Sequence, residues 1–231
     1  MTHPFEEHLS RIRETLLLMS SLTDKSMALA VQALVERESS LATSVIADDA
    51  EIDRLEMEVD ERVVTYMATH GPIARDSRLM LAASKISSNL ERIADQATTV
   101  ARRALALNEE PLLAVEPLAD VQRMSSVAQQ MLHDAITAFV EARFEMALPI
   151  ISRDRVVDDL NRNVVKGLIR LMRENPENVE RAVNIMAVAK AIERAADHAE
   201  NIAEEVYYLY SGEDIRHPNA IRAAAAQDDE E

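Results

Sequence analysis

Apolar residues recur at helical spacing along almost the entire chain. Ile12, Leu16, Met19, Thr23, Met27, Ala30, Val31 and Leu34 share one face and predict a first helix over about 5–37. Val45, Ile52, Leu55, Val59, Val63, Tyr66 and Met67 predict a second over about 39–69, which Gly71-Pro72 breaks. Leu79, Ile86, Leu90, Ile93, Ala97, Val100 and Ala104 predict a third over about 77–107. Residues 108–117, with Pro111 and Pro117, form the best connection between two lobes. Further helices are predicted over about 118–143, 146–173 and 178–210. Pro149 falls in the first turn of the fifth, where its missing N–H costs little, and Asn175-Pro176 separates the fifth from the sixth. The expected organisation is a first three-helix unit over 1–108, a second over 112–211, and an acidic, solvated tail over 212–231.

The two units are copies of one another. Shifted by 105, residues 19–55 align without gaps onto 124–160, and 12 of 37 positions are identical. Past the Gly-Pro and Asn-Pro breaks the shift becomes 102, and 6 of 11 positions match between 91–101 and 193–203. A change of three residues in a turn, with register kept on both sides, marks a diverged duplication.

Composition fixes the class. Three Phe, four Tyr and no Trp leave Ala, Leu, Val, Ile and eleven Met to fill the core, which favours close-packed helices. Three Gly leave little material for hairpins, so the fold class is all-α. The net charge of −16 argues against nucleic acid as a partner and against a basic patch on anionic lipid. With no cysteine, disulfides, thiolate metal sites and Cys nucleophiles are excluded. The first residues lack the basic start and apolar run of a signal peptide, and no stretch approaches the roughly 20 apolar residues of a membrane span. A cytoplasmic protein that meets membranes only through its partners is expected.

Candidate chemistry lies in acids that the duplication repeats. Asp49 and Asp53 return as Asp154 and Asp158, and Glu91 and Asp95 return as Glu193 and Asp197. Each pair is spaced i,i+4, so both carboxylates share a helix face. The second and third helices are joined by a tight break and should run antiparallel. Asp49, Asp53, Glu91 and Asp95 then fall at one height, roughly 30 Å from the turn at about 1.5 Å per residue, and the second copy shows the same coincidence. Acidic i,i+4 pairs alone carry no weight in so acidic a chain. Four of the eight present here, however, are repeat-equivalent and level across a helix pair. Such clusters repel unless a cation or arginines compensate, and oxygen-only sets suit Mg, Mn, Ca or iron better than zinc. Arg92 and Arg194 are expected to pair with acids on neighbouring helices. His198 has Gln96 as its counterpart, so a required His ligand is not expected, and the Met residues read as core filler. No phosphate loop, Ser/His/Asp set or zinc-protease motif is present.

The run Glu193-Arg194-Ala195-Ala196-Asp197-His198-Ala199-Glu200-Asn201-Ile202-Ala203-Glu204 closely resembles the E-R-x-x-D-H-x-x-N-I-x-E signature of the bacterial PhoU family. The stretch from Pro72 to Arg78 is similar to that family's P-x-A-x-D-L-R turn, departing at Ser77, and Asp214 to His217 is similar to its ending. The resemblance spans about residues 5–217. It implies two tandem three-helix bundles with pseudo-twofold symmetry, a homodimer, and divalent metal or an iron cluster (Fe, Mn, Mg or Zn) on the eight repeated acids. It also implies a non-enzymatic negative regulator of the phosphate-starvation response, linking the ATPase subunit of the phosphate ABC transporter to a sensor histidine kinase. The first copy departs from the full signature at Gln96, Thr98, Thr99 and Arg102, which makes equal sites doubtful. Two other readings of the residues remain open: a metal-free helical scaffold with solvated acids, and a dinuclear metal-dependent enzyme.

Overall fold

The computed structural model describes residues 4–111 and 117–216. It contains six long helices and, among the described residues, no strand. They are α1 (Pro4–Glu36), α2 (Ser39–His70), α3 (Ala74–Glu109), α4 (Pro117–Glu141), α5 (Ala147–Glu174) and α6 (Val179–Ser211). Single 3₁₀ turns, Phe144–Met146 and Pro176–Asn178, lead into α5 and α6. The first bundle packs α1, α2 and α3 together, and the second packs α4, α5 and α6. The two bundles meet along α3–α6 and, less extensively, along α1–α4, so the apolar core runs through both without a break. This all-α architecture of tandem, pseudo-symmetric bundles is the one the repeat predicts.

Helices α3 and α6 each face three neighbours and are therefore buried around most of their circumference. Small residues such as Ala83, Ala94, Ala97, Ala189, Ala196 and Ala199 let their partners approach closely. Five methionines, Met19, Met27, Met80, Met124 and Met131, are fully buried, as core filler should be. Polar ties join the helices at several points. The Thr23 hydroxyl donates to the Leu90 carbonyl at 3.3 Å, and the Tyr210 hydroxyl donates to the Phe139 carbonyl at 2.9 Å.

The duplication is visible in the backbone. α1 and α4 end one and two residues before their predicted ends, at Arg37 (φ 58°) and Ala142 (φ 57°), both in the left-handed region. Those residues are equivalent at the shift of 105. After each, a backbone N–H closes a five-residue return, Glu38 to the Ala33 carbonyl at 3.1 Å and Arg143 to the Ala138 carbonyl at 2.9 Å. Both are Schellman stops built without glycine, so the sequence carried no glycine signal for them. Arg37 adds a second function by donating to the carbonyls of Leu107 (3.2 Å), Asn108 (2.7 Å) and Glu110 (2.5 Å), which caps the end of α3. Gly71 (φ 52°) ends α2 in the same left-handed conformation.

The predicted connection at 108–117 falls partly outside the described residues, which omit 112–116. Of the segment expected to form an acidic tail, 217–231 likewise lies outside them. The described part packs back on the fold. Ile215 is 1% exposed, and Arg216 reaches within 4.0 Å of Glu205.

Candidate metal centre

Antiparallel packing brings the repeated acids of each bundle face to face. In the first bundle α2 carries Asp49 and Asp53, and α3 carries Glu91 and Asp95. Burial raises the Asp49 carboxyl, with repulsion from Asp53 and Asp95 adding to it; the Thr98 hydroxyl and Arg102 act against the rise. Glu91 is pushed up to about 7, first by burial, then by Asp95, Glu56 and Asp53, against the pull of Arg92. Arg92 does not cross to a neighbouring helix as the sequence suggested. It pairs on its own helix, with the adjacent Glu91 at 3.2 Å and with Asp95, its i+3 neighbour, at 3.3 Å.

The second bundle gathers its acids more tightly. Asp154 and Asp158 come from α5, and Glu193 and Asp197 from α6. Asp154, Asp197 and Glu200 each offer one carboxylate oxygen, all within 4.8 Å of one another. It is the one such three-acid group among the described residues. Three oxygens around a cation at roughly 2.1–2.6 Å stand no farther apart than about 4–5 Å, so the spacing fits a hard divalent ion. The like charges oppose one another. Burial, then Asp197, Asp158 and Glu193, push Asp154 up to about 6. Burial, then Asp154, Glu204, Asp197 and Asp158, push Glu200 up to about 8. Asp197 is raised by burial and Glu193.

Orphaned atoms point the same way. Asp154 Oδ1 is buried and accepts no hydrogen bond. Glu193, only 9% exposed, has an Oε2 that makes no hydrogen bond and meets the Lys190 ammonium as an ion pair. Asp154 Oδ1, a buried carboxylate oxygen left without a donor, is what an oxygen-coordinated metal would satisfy. The residues present therefore fit the group.

Glu200 was missed as a site residue. It lies three residues beyond Asp197, outside the i,i+4 motif, and its counterpart in the first copy is Thr98. Only the helical i+3 spacing and the acid-rich surroundings could have marked it. His198 turns away from the acids and toward α3, its Nδ1 lying 2.9 Å from Asn89 Oδ1. Burial, then Arg92 and Arg194, lower its pKa, so the ring ties the two bundles together as a neutral group.

A profile of the PhoU domain matches the chain twice, over residues 16–104 and 121–206. The chain belongs to the PhoU family. The two matches coincide with the two bundles, and each contains one acidic cluster. Among PhoU relatives, the phosphate-specific transport system accessory protein PhoU homolog of Pseudomonas aeruginosa is 36% identical over 222 residues, covering 96% of this chain and 91% of that protein. The protein of the same description from Aquifex aeolicus is 35% identical over 211 residues, covering 91% of this chain and 95% of its own length. The crystal structure of PhoU from Pseudomonas aeruginosa superposes with a TM-score of 0.87 at 36% identity, over 90% of this chain and 99% of that one. The tandem bundle is thus shared over nearly its whole length.

Proposed function

We propose that this protein is an accessory regulator of phosphate-specific transport that acts by binding rather than by turnover. Its relatives are described as accessory proteins of that transport system, and two of them match over nine-tenths of both chains. The reading extends to negative control of phosphate uptake and of the starvation response, in the cytoplasm. The chain would do this by contacting the transporter's ATPase subunit and a sensor histidine kinase, most naturally as a homodimer. Among the described residues no helix is long and apolar enough to cross a membrane, which is compatible with a role exercised through membrane partners.

Metal belongs to the same proposal, and one observation carries it: the converging oxygens of Asp154, Asp197 and Glu200 beside the orphaned Asp154 Oδ1. Asp49, Asp53, Glu91 and Asp95 in the first bundle, and Asp158 and Glu193 in the second, complete the two candidate donor sets. A bound divalent ion would supply positive charge where burial and mutual repulsion oppose ionisation. The chain's own residues present the acids from two helices, so occupancy would fasten α2 to α3 and α5 to α6 without forming any new contact elsewhere.

Two measurements test the proposal. Protein purified without chelator or metal affinity resin should carry near-stoichiometric iron, manganese or another divalent ion by elemental analysis. That metal should fall away when Glu91, Asp95, Glu193 and Asp197 are replaced by alanine, with helicity kept. Deleting the gene should derepress the starvation response in phosphate-rich medium, and the tagged protein should co-purify with the ATPase subunit and the kinase. Normal repression after deletion would overturn the regulatory reading, whatever the metal content.

A further inference from the structure

The duplication makes a position-by-position comparison of the two clusters possible. Asp49, Asp53, Glu91 and Asp95 have identical counterparts in Asp154, Asp158, Glu193 and Asp197. Each cluster also holds an ion-paired cation, Arg92 on Glu91 and Asp95 in the first and Lys190 on Glu193 in the second. The surrounding positions differ. Thr98 corresponds to Glu200, Arg102 to Glu204, and Glu56 to Asn161.

Formal charge already favours the second cluster, because Glu56 in the first offsets Glu200 in the second while Arg102 in the first stands where the second has Glu204. Placement adds to it. Glu56 repels Glu91. Glu200 stands against Asp154 and Asp197 and closes the three-oxygen group. In the first bundle the same place is taken by the Thr98 hydroxyl, 3% exposed, which together with the positive charge of Arg102 favours the ionised form of Asp49. A hydroxyl is a weaker donor than a carboxylate for a hard ion, and a fixed guanidinium opposes a second cation nearby.

We propose that the two acidic clusters are unequal and that Glu200 makes the second bundle the tighter divalent-cation site, which fills first, while Thr98 and Arg102 leave the first bundle weak. The inference rests on the metal reading above and adds an order of filling and the residues that set it. The first bundle keeps its acids and responds only when the second is already occupied.

The test is a titration of chelator-treated, full-length protein with Mn²⁺, counting free ion by electron paramagnetic resonance, with circular dichroism on every variant. The wild type should bind one Mn²⁺ per chain at least about tenfold more tightly than the next, as loss of one charged ligand of three would produce. Glu200→Thr should weaken the tight class by that factor and make the two classes alike. Glu200→Gln, which keeps the shape and removes the charge, should do the same, so that misfolding is not the cause. Thr98→Glu combined with Arg102→Glu should create a second tight class. Two equal classes in the wild type, or a tight class that survives both Glu200 variants, would overturn the inequality and leave metal binding intact. No Mn²⁺ bound by any form would overturn the inequality together with the metal reading.

Discussion

At the scale of single residues, the two clusters show how burial and like charge act together. Glu91, Asp154 and Glu200 hold their protons to about 7, 6 and 8, well above ordinary carboxylates. Each group binds a proton more readily folded than unfolded, so the folded state loses stability as pH rises from the unfolded pKa, near 4, through the folded values. Metal-free protein should therefore melt at a lower temperature at pH 8.5 than at pH 5.5. A divalent ion should restore the loss, with more effect at the higher pH. A scanning-calorimetry series with and without Mn²⁺ checks this, and a melting temperature that climbs between those pH values in the metal-free protein would contradict it. The repeated carboxylates themselves were legible, because the duplication placed them twice at i,i+4. Glu200 was not, since its partner in the first copy is a threonine, and the direction of the Arg92 side chain is settled by its own helix rather than by any pattern.

Among the elements, periodicity located all six helices to within three residues at each end, the largest difference being the start of α3 at Ala74 rather than 77. Gly71 and the Asn-Pro step announce their turns, whereas Arg37 and Ala142 adopt left-handed backbone that their side chains disfavour. The need for it comes from the Schellman closure and the angle at which α2 and α5 fold back, which no local signal encodes. Two opposite effects follow. Ala142→Gly should stabilise the protein by about 0.5 kcal/mol, the relief of left-handed strain exceeding the extra entropy of an unfolded glycine. Gly71→Ala should cost about 1 kcal/mol for the reverse reason, with nothing within 4 Å of the added methyl to complicate the result. Urea unfolding of both variants gives the signs directly.

For the whole molecule, charge dominates. Forty-one acids against 25 Lys plus Arg give a net charge of −16, so approach to any partner is steered by that partner's basic surface. The association with the transporter ATPase subunit that we propose should show an on-rate that falls by at least about tenfold between 50 and 500 mM salt, with a much smaller change in the off-rate. Surface plasmon resonance at the two salt concentrations separates these. A salt-independent on-rate would mean that an apolar contact directs the encounter instead.

The seam between the bundles also records a history. α3 and α6 are counterparts in the repeat, and so are α1 and α4. The helices that meet across the seam are therefore each other's duplicates. Like meeting like across a twofold axis is the geometry of a homodimer interface, here enclosed within one chain. The single polypeptide is best understood as an ancestral pair of identical three-helix subunits whose genes fused. Fusion released each half from having to match the other, which is how the two could come to differ at Thr98 and Glu200.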